Sequence, residues 1–111
     1  MNSYRNIKLS PVSGFDWDKG NANKNRLKHN VDTTECEEVF FNEPRIVFED
    51  SKHSYREKRY RILGISSSGR RLSLAITVRE SKIRVIMARD QSRKERNFFE
   101  TETKNSKVAK E

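Results

Sequence analysis

The apolar residues of this chain gather in five clusters, "EVFF", "RIVF", "YRILGI", "LSLAIT" and "IRVIM", with polar stretches between them. Each cluster has the length of one short element. "FDWD" (Phe15 to Asp18) predicts a short strand that ends at a helix cap, with Asp18 as N-cap. "KGNANKNRLKH" follows as a helix with only Ala22 and Leu27 to bury, and its asparagines and glycine disfavour helix. Asn30 suits a left-handed C-cap. In "DTTECEEVFFNEP", Thr34 with Glu37 forms a capping box and Cys36, Val39 and Phe40 recur at helical spacing. Pro44 closes that helix. "RIVFED" predicts a strand and "SKHSYRE" a polar turn. Three more strands, Lys58 to Ile65, Arg70 to Arg79 and Ile83 to Arg89, are joined by "SSSG" and "ESK", which predicts an antiparallel meander. In the middle strand Leu72, Leu74, Ile76 and Val78 share one face. Its other face, Arg71, Ser73, Ala75, Thr77 and Arg79, is polar without bulk, as if something lies across it. The last strand is apolar on both faces, so period alone does not orient it. A final helix starts near Asp90, with Ser92 and Glu95 as a second capping box and Phe98 and Phe99 as its anchors.

This order predicts an α+β domain: two N-terminal helices and a C-terminal helix packed on a small, mainly antiparallel sheet. Its expected limits are residues 14–103, after a flexible arm at 1–13 and before a disordered tail at 104–111. The length of 111 residues allows one modest core. At 32% apolar and 36% charged, the composition alone approaches that of disordered chains. The clustering of the apolar residues is what argues for a fold.

Charge then separates the chain into two halves. Residues 1–50 carry seven Lys/Arg and nine Asp/Glu, whereas residues 51–111 carry seventeen and seven. The net charge of +8 therefore belongs to the second half. A one-sided excess of this kind suits nucleic acid, an anionic membrane or an acidic protein. Cys36 is the one cysteine, which excludes an intrachain disulfide and a cysteine-based zinc site. No apolar run approaches the length of a membrane span, no leader pattern is evident, and the expected setting is the cytoplasm.

The stretches "WDKGNANKNRLKHNV", "EEVFFNEP", "KHS", "KRYRILG", "GRRLSLAITVR" and "IRVIMARDQSRKE", in that order, resemble the BrnT family of ribonuclease toxins from bacterial type II toxin–antitoxin systems. The resemblance runs from Phe15 to about Glu100. It implies a RelE-like fold, cleavage of RNA and a BrnA-type antitoxin with a ribbon-helix-helix part. It also implies that toxin and antitoxin together repress their own operon, so that operator DNA is met through the antitoxin. Two positions depart from the family pattern: Met87 stands where serine is usual before "AR", and Asn30 where glycine is usual after "KH".

Cleaving RNA with its own 2′-hydroxyl needs a base, an acid and cations around the phosphate. Arginine suits the last task through its planar, permanently charged fork. Arg59, Arg79, Arg84 and Arg89 lie in or at the ends of predicted strands and are the expected catalytic clamp, with Arg61, Arg71, Tyr60 and Arg93 as further RNA contacts. Edge-strand charges that block aggregation are the bland alternative. Lys28 and His29 are the expected acid or base, and His53 is a weaker one. Trp17 suits either a base stack or an anchor for the first strand. No His/Cys spacing or carboxylate cluster suggests a metal, and no cofactor is expected. The alternative function is a catalytically inactive nucleic-acid-binding or corepressor module of the same fold.

Overall fold

The computed structural model describes residues 12–22 and 29–110, with side chains described as far as Lys104. Five strands form one sheet: β1 (Gly14–Phe15), β2 (Ile46–Glu49), β3 (Tyr60–Ile65), β4 (Arg71–Arg79) and β5 (Lys82–Asp90). Their spatial order is β1-β5-β4-β3-β2. The last three strands form the expected meander, and β2 adds antiparallel to β3. The sheet is nevertheless mixed, because β1 pairs parallel to β5 through Phe15 opposite Ile83. The expectation of a mainly antiparallel sheet is corrected on this point. Periodicity locates strands but does not give the direction in which a two-residue edge strand pairs.

β1 is also shorter than "FDWD" suggested. After Phe15 the Asp16 amide donates once more to the Ile83 carbonyl at 2.8 Å, and the chain then turns into a helix over residues 19–22. Asp18 caps that helix: its carboxylate accepts from the Asn21 amide at 2.9 Å, and the Asn21 side chain accepts from the Asp18 amide at 2.8 Å. Residues 23–28, and with them Lys28, lie outside the described residues. Asn30 has φ +56°, the left-handed conformation expected of it.

Helix α1 (Thr33–Phe41) begins two residues earlier than predicted, and its capping box is Asp32 with Glu35 rather than Thr34 with Glu37. Both pairs have the right spacing, and the earlier one forms. Cys36 and Val39 are buried on one face of the sheet with Ile62, Leu72, Leu74, Ile76, Ile83, Val85 and Ala88. Gly64 lets α1 approach: a Cβ there would stand 2.6 Å from Val39 Cγ1. Trp17 belongs to this face, packed beside Phe15 with its indole N–H donating to Glu37 at 2.8 Å, so it anchors β1.

Helix α2 (Arg93–Lys110) lies on the other face, where Phe99 packs with Ile46 and Leu63, and Phe98 meets Phe48 edge-on. Its backbone runs to Lys110. The predicted Ser92–Glu95 box is present, with amide-to-side-chain bonds of 2.9 and 3.1 Å.

A β-bulge settles the orientation of β5. Ala75 pairs with Met87, but its neighbour Ile76 pairs with Val85, which leaves Ile86 as the extra residue. Ile83 and Val85 point to the α1 face, and past the bulge so does Ala88. Arg84 and Arg89, five apart, would point to opposite faces of a regular strand. The bulge brings both, with Met87, to the α2 face.

Candidate functional site: an arginine–carboxylate network on the sheet

The α2 face carries three successive cross-strand rows. Phe48, Arg61, Ala75 and Met87 form the central row, Ile46, Leu63, Ser73 and Arg89 form the row beneath α2, and Thr77 stands beside Arg84. The phenylalanines of α2 cover one end. Towards the other end the face is built of arginine stems over small residues, with Ser73, Ala75 and Thr77 buried beneath them. This is why the polar side of β4 has no bulk.

Glu95 is the hub. Its carboxylate takes both Arg89 guanidinium nitrogens, at 2.7 and 3.1 Å, and the Ser73 hydroxyl at 3.2 Å. Arg61 Nη1 donates to Ser73 Oγ at 3.0 Å and lies 3.9 Å from the carboxylate. Burial works to raise the Glu95 carboxyl, but the Arg89 hydrogen bonds, the Ser92 amide and the charges of Arg89 and Arg61 outweigh it and hold the group below its ordinary value. Arg61, with its side chain 17% exposed, has its pKa lowered by burial and by the charge of Arg89, against the pull of Glu95 and Asp50. It remains a cation at neutral pH.

The network continues outward. Asp50 Oδ2 lies 3.8 Å from Arg61 Nη2 and 3.0 Å from His53 Nδ1, so one carboxylate sits between an arginine and an imidazole. His53 is held in a 3₁₀ turn (Ser51–His53) with Nδ1 on the carboxylate and its side chain 53% exposed. The turn is stapled by Ser54, whose hydroxyl donates to the Asp50 carbonyl at 2.7 Å and accepts from the Arg59 amide at 3.0 Å.

The remaining predicted residues divide by position. Arg84 lies on this face but is bound to Asp18 at 2.8 Å and Asp16 at 3.6 Å, tying β5 to the first helix cap. Arg59 is half-buried, two residues ahead of Arg61. Arg79 is at the exposed hairpin end, its guanidinium paired with both Glu57 oxygens at 2.9 and 3.1 Å. Arg71 pairs with Glu100 beneath α2, and Arg93 is exposed on the first turn of that helix. Tyr60 packs against the α1-side core, away from the network. His29 is also elsewhere. Its carbonyl, like that of Asn30, accepts from Arg70, which in turn grips Asp90 at 2.7 Å and Glu35 at 3.3 Å. This Arg70 clamp satisfies the carbonyls of His29 and Asn30 and joins that segment to α1 and β5.

Glu95, Asp50 and Ser73 were not singled out from the sequence. Glu95 was legible only as a capping residue, a role it also fills. Ser73 was legible as a small polar residue on an alternating strand. Nothing in the spacing of Asp50 and His53 connects them to Arg61 or Arg89, because the connection exists only across the sheet. Among the described residues no three His, Cys, Asp or Glu side chains gather as a metal ion would require, and no helix is long and apolar enough to cross a membrane.

Such a molecule falls in the class of small, basic α+β proteins that present arginines on an exposed part of a sheet face. Residues 17–95 match the model of a family described as the ribonuclease toxin, BrnT, of type II toxin–antitoxin systems. The chain belongs to that family of toxins. The matched stretch opens at Trp17 and closes at Glu95, so it contains both the anchor of β1 and the hub of the network. No curated protein matches the chain.

Proposed function

We propose that this protein is an endoribonuclease whose active centre is the Arg61–Ser73–Glu95–Arg89 network together with the Asp50–His53 pair. The observation that carries this reading is the position of Asp50, which holds His53 by one nitrogen while approaching Arg61 on the sheet. An imidazole fixed in this way next to guanidinium groups is suited to move a proton at a phosphate. In the proposed reaction the RNA 2′-oxygen attacks the adjacent phosphorus and the P–O5′ bond breaks. The 2′-hydroxyl proton leaves to a base and the departing 5′-oxygen gains a proton. The products are a 2′,3′-cyclic phosphate and a 5′-hydroxyl end. His53 Nε2 serves one of the two proton transfers. Arg61 and Arg89 stabilise the charge on the phosphate oxygens, with Arg59 and Arg84 extending the cationic surface. Glu95 positions Arg89 and Arg61, since a carboxyl held ionised by two arginines is a weak base. No metal is required in this scheme.

His29 and Arg79, which the sequence offered as catalytic, have no part in this centre, and Lys28 lies outside the described residues. The fold is proposed to be RelE-like, and the partner to be a BrnA-type ribbon-helix-helix antitoxin that covers the basic face and brings the complex to operator DNA. The test is cleavage of purified RNA by His53→Asn and Arg61→Met variants whose folding is checked by circular dichroism. Both are expected to lose cleavage, His53→Asn by roughly 100-fold or more. Full activity in both would overturn the assignment. RNA that is bound but left intact by the wild-type protein would favour the corepressor module, for which Met87 on the site face supplies a reason.

A further inference from the structure

Tyr55 is 84% exposed, the most exposed of the large apolar side chains described. It stands two residues beyond His53, which places their Cα atoms within about 7 Å along the chain. The segment from Lys52 to Arg59 carries four Lys/Arg against one Glu, and that glutamate is already taken by Arg79. Lys52 and Arg56 are exposed, and Lys58 pairs loosely with Glu49, at 3.8 Å. The loop is not loosely tethered. Ser54 staples both its ends, and the Asp50 amide donates to the Arg59 carbonyl at 2.8 Å, closing the loop like an extension of the β2–β3 ladder. An aromatic ring is thus presented to solvent on a fixed loop, surrounded by cations and beside the proposed proton carrier.

We infer that Tyr55 is a stacking platform for a nucleobase of single-stranded RNA next to the scissile phosphate, with Lys52, Arg56 and Lys58 taking the flanking phosphates. The inference rests on the ribonuclease reading and names a subsite of that centre. A ring face is sequence-tolerant and accepts any base, while the surrounding cations hold the backbone. Tyr60, the aromatic that the strand pattern offered for this task, is packed against the core and leaves Tyr55 to fill it.

The experiment measures affinity of the full chain for a 2′-O-methyl single-stranded RNA, which binds but is not open to 2′-attack, and for a matched strand lacking bases. Tyr55→Ala is expected to weaken binding to the base-bearing strand by roughly 5- to 100-fold, while Tyr55→Phe stays within about twofold of wild type. Binding to the abasic strand is unchanged in both, so the wild-type preference for bases disappears in Tyr55→Ala. Equal affinity of wild type and Tyr55→Ala for the base-bearing strand overturns the inference. So does a loss confined to the antitoxin complex, which would assign the ring to a protein interface. If instead the Tyr55-dependent preference is present but the wild-type protein never cuts RNA, the subsite stands and the enzymatic reading fails.

Discussion

Replacing Glu95 tests the network at its hub. Glu95→Ala removes the carboxylate that separates Arg61 from Arg89 and one arm of the α2 capping box. The side chains concerned are 17%, 30% and 22% exposed for Arg61, Arg89 and Glu95. Breaking a fully buried pair costs about 3–5 kcal/mol, and an exposed pair is worth about 1 kcal/mol or less. With partial burial and the lost cap, Glu95→Ala is expected to destabilise by about 2–3 kcal/mol. Glu95→Gln keeps the cap acceptor and loses the charge, and is expected to cost about 1–2 kcal/mol. Urea denaturation gives both values, and a cycle with Arg89→Met isolates the pair, with an expected coupling of about 1.5 kcal/mol. The pH dependence has a definite sign. The folded-state carboxyl lies below its ordinary value of 4.5, so its contribution is whole above that value and is lost as the pH falls through the lower folded value. The gap between wild type and Glu95→Gln therefore closes in acid. A Glu95→Ala protein within about 0.5 kcal/mol of wild type at neutral pH would refute the hub.

Two further outcomes follow from the α1 face. Gly64→Ala forces a Cβ to 2.6 Å from Val39 Cγ1, and is expected to destabilise by about 1–3 kcal/mol with the midpoint of a thermal melt falling accordingly. The Cys36 thiol is raised to about 12, first by burial and then by the charges of Asp32, Glu35 and Glu37. It should react with a thiol reagent only on unfolding, at a rate that urea accelerates.

Much of the architecture was legible because the apolar clusters have strand or helix length and the turns between them are short. The meander, β2, the second capping box and the left-handed Asn30 all follow from local pattern. The parallel pairing of β1 does not, since two residues carry no directional signal. The bulge at Ile86 was also hidden. It appeared in the sequence only as apolar residues on both sides of β5, and a regular period would have separated Arg84 from Arg89. The site was legible as a set of arginines but not as an arrangement. Arg79, Arg84 and Arg89 each bind a carboxylate, of Glu57, Asp18 and Glu95, that is six to sixty-six positions away in the chain. Pairings across a sheet at such separations leave no trace in spacing, and His53 gained its place only through Asp50.

The most direct measurement is the chemistry of the cut ends. Purified wild-type protein is incubated with a labelled single-stranded RNA in excess EDTA, and the fragment termini are analysed. The proposed centre predicts 2′,3′-cyclic phosphate and 5′-hydroxyl ends, with cutting abolished by Arg61→Met and Arg89→Met and by a 2′-O-methyl substrate. Cleavage that requires added divalent metal, or that leaves 3′-hydroxyl ends, or that persists in both arginine variants would contradict it.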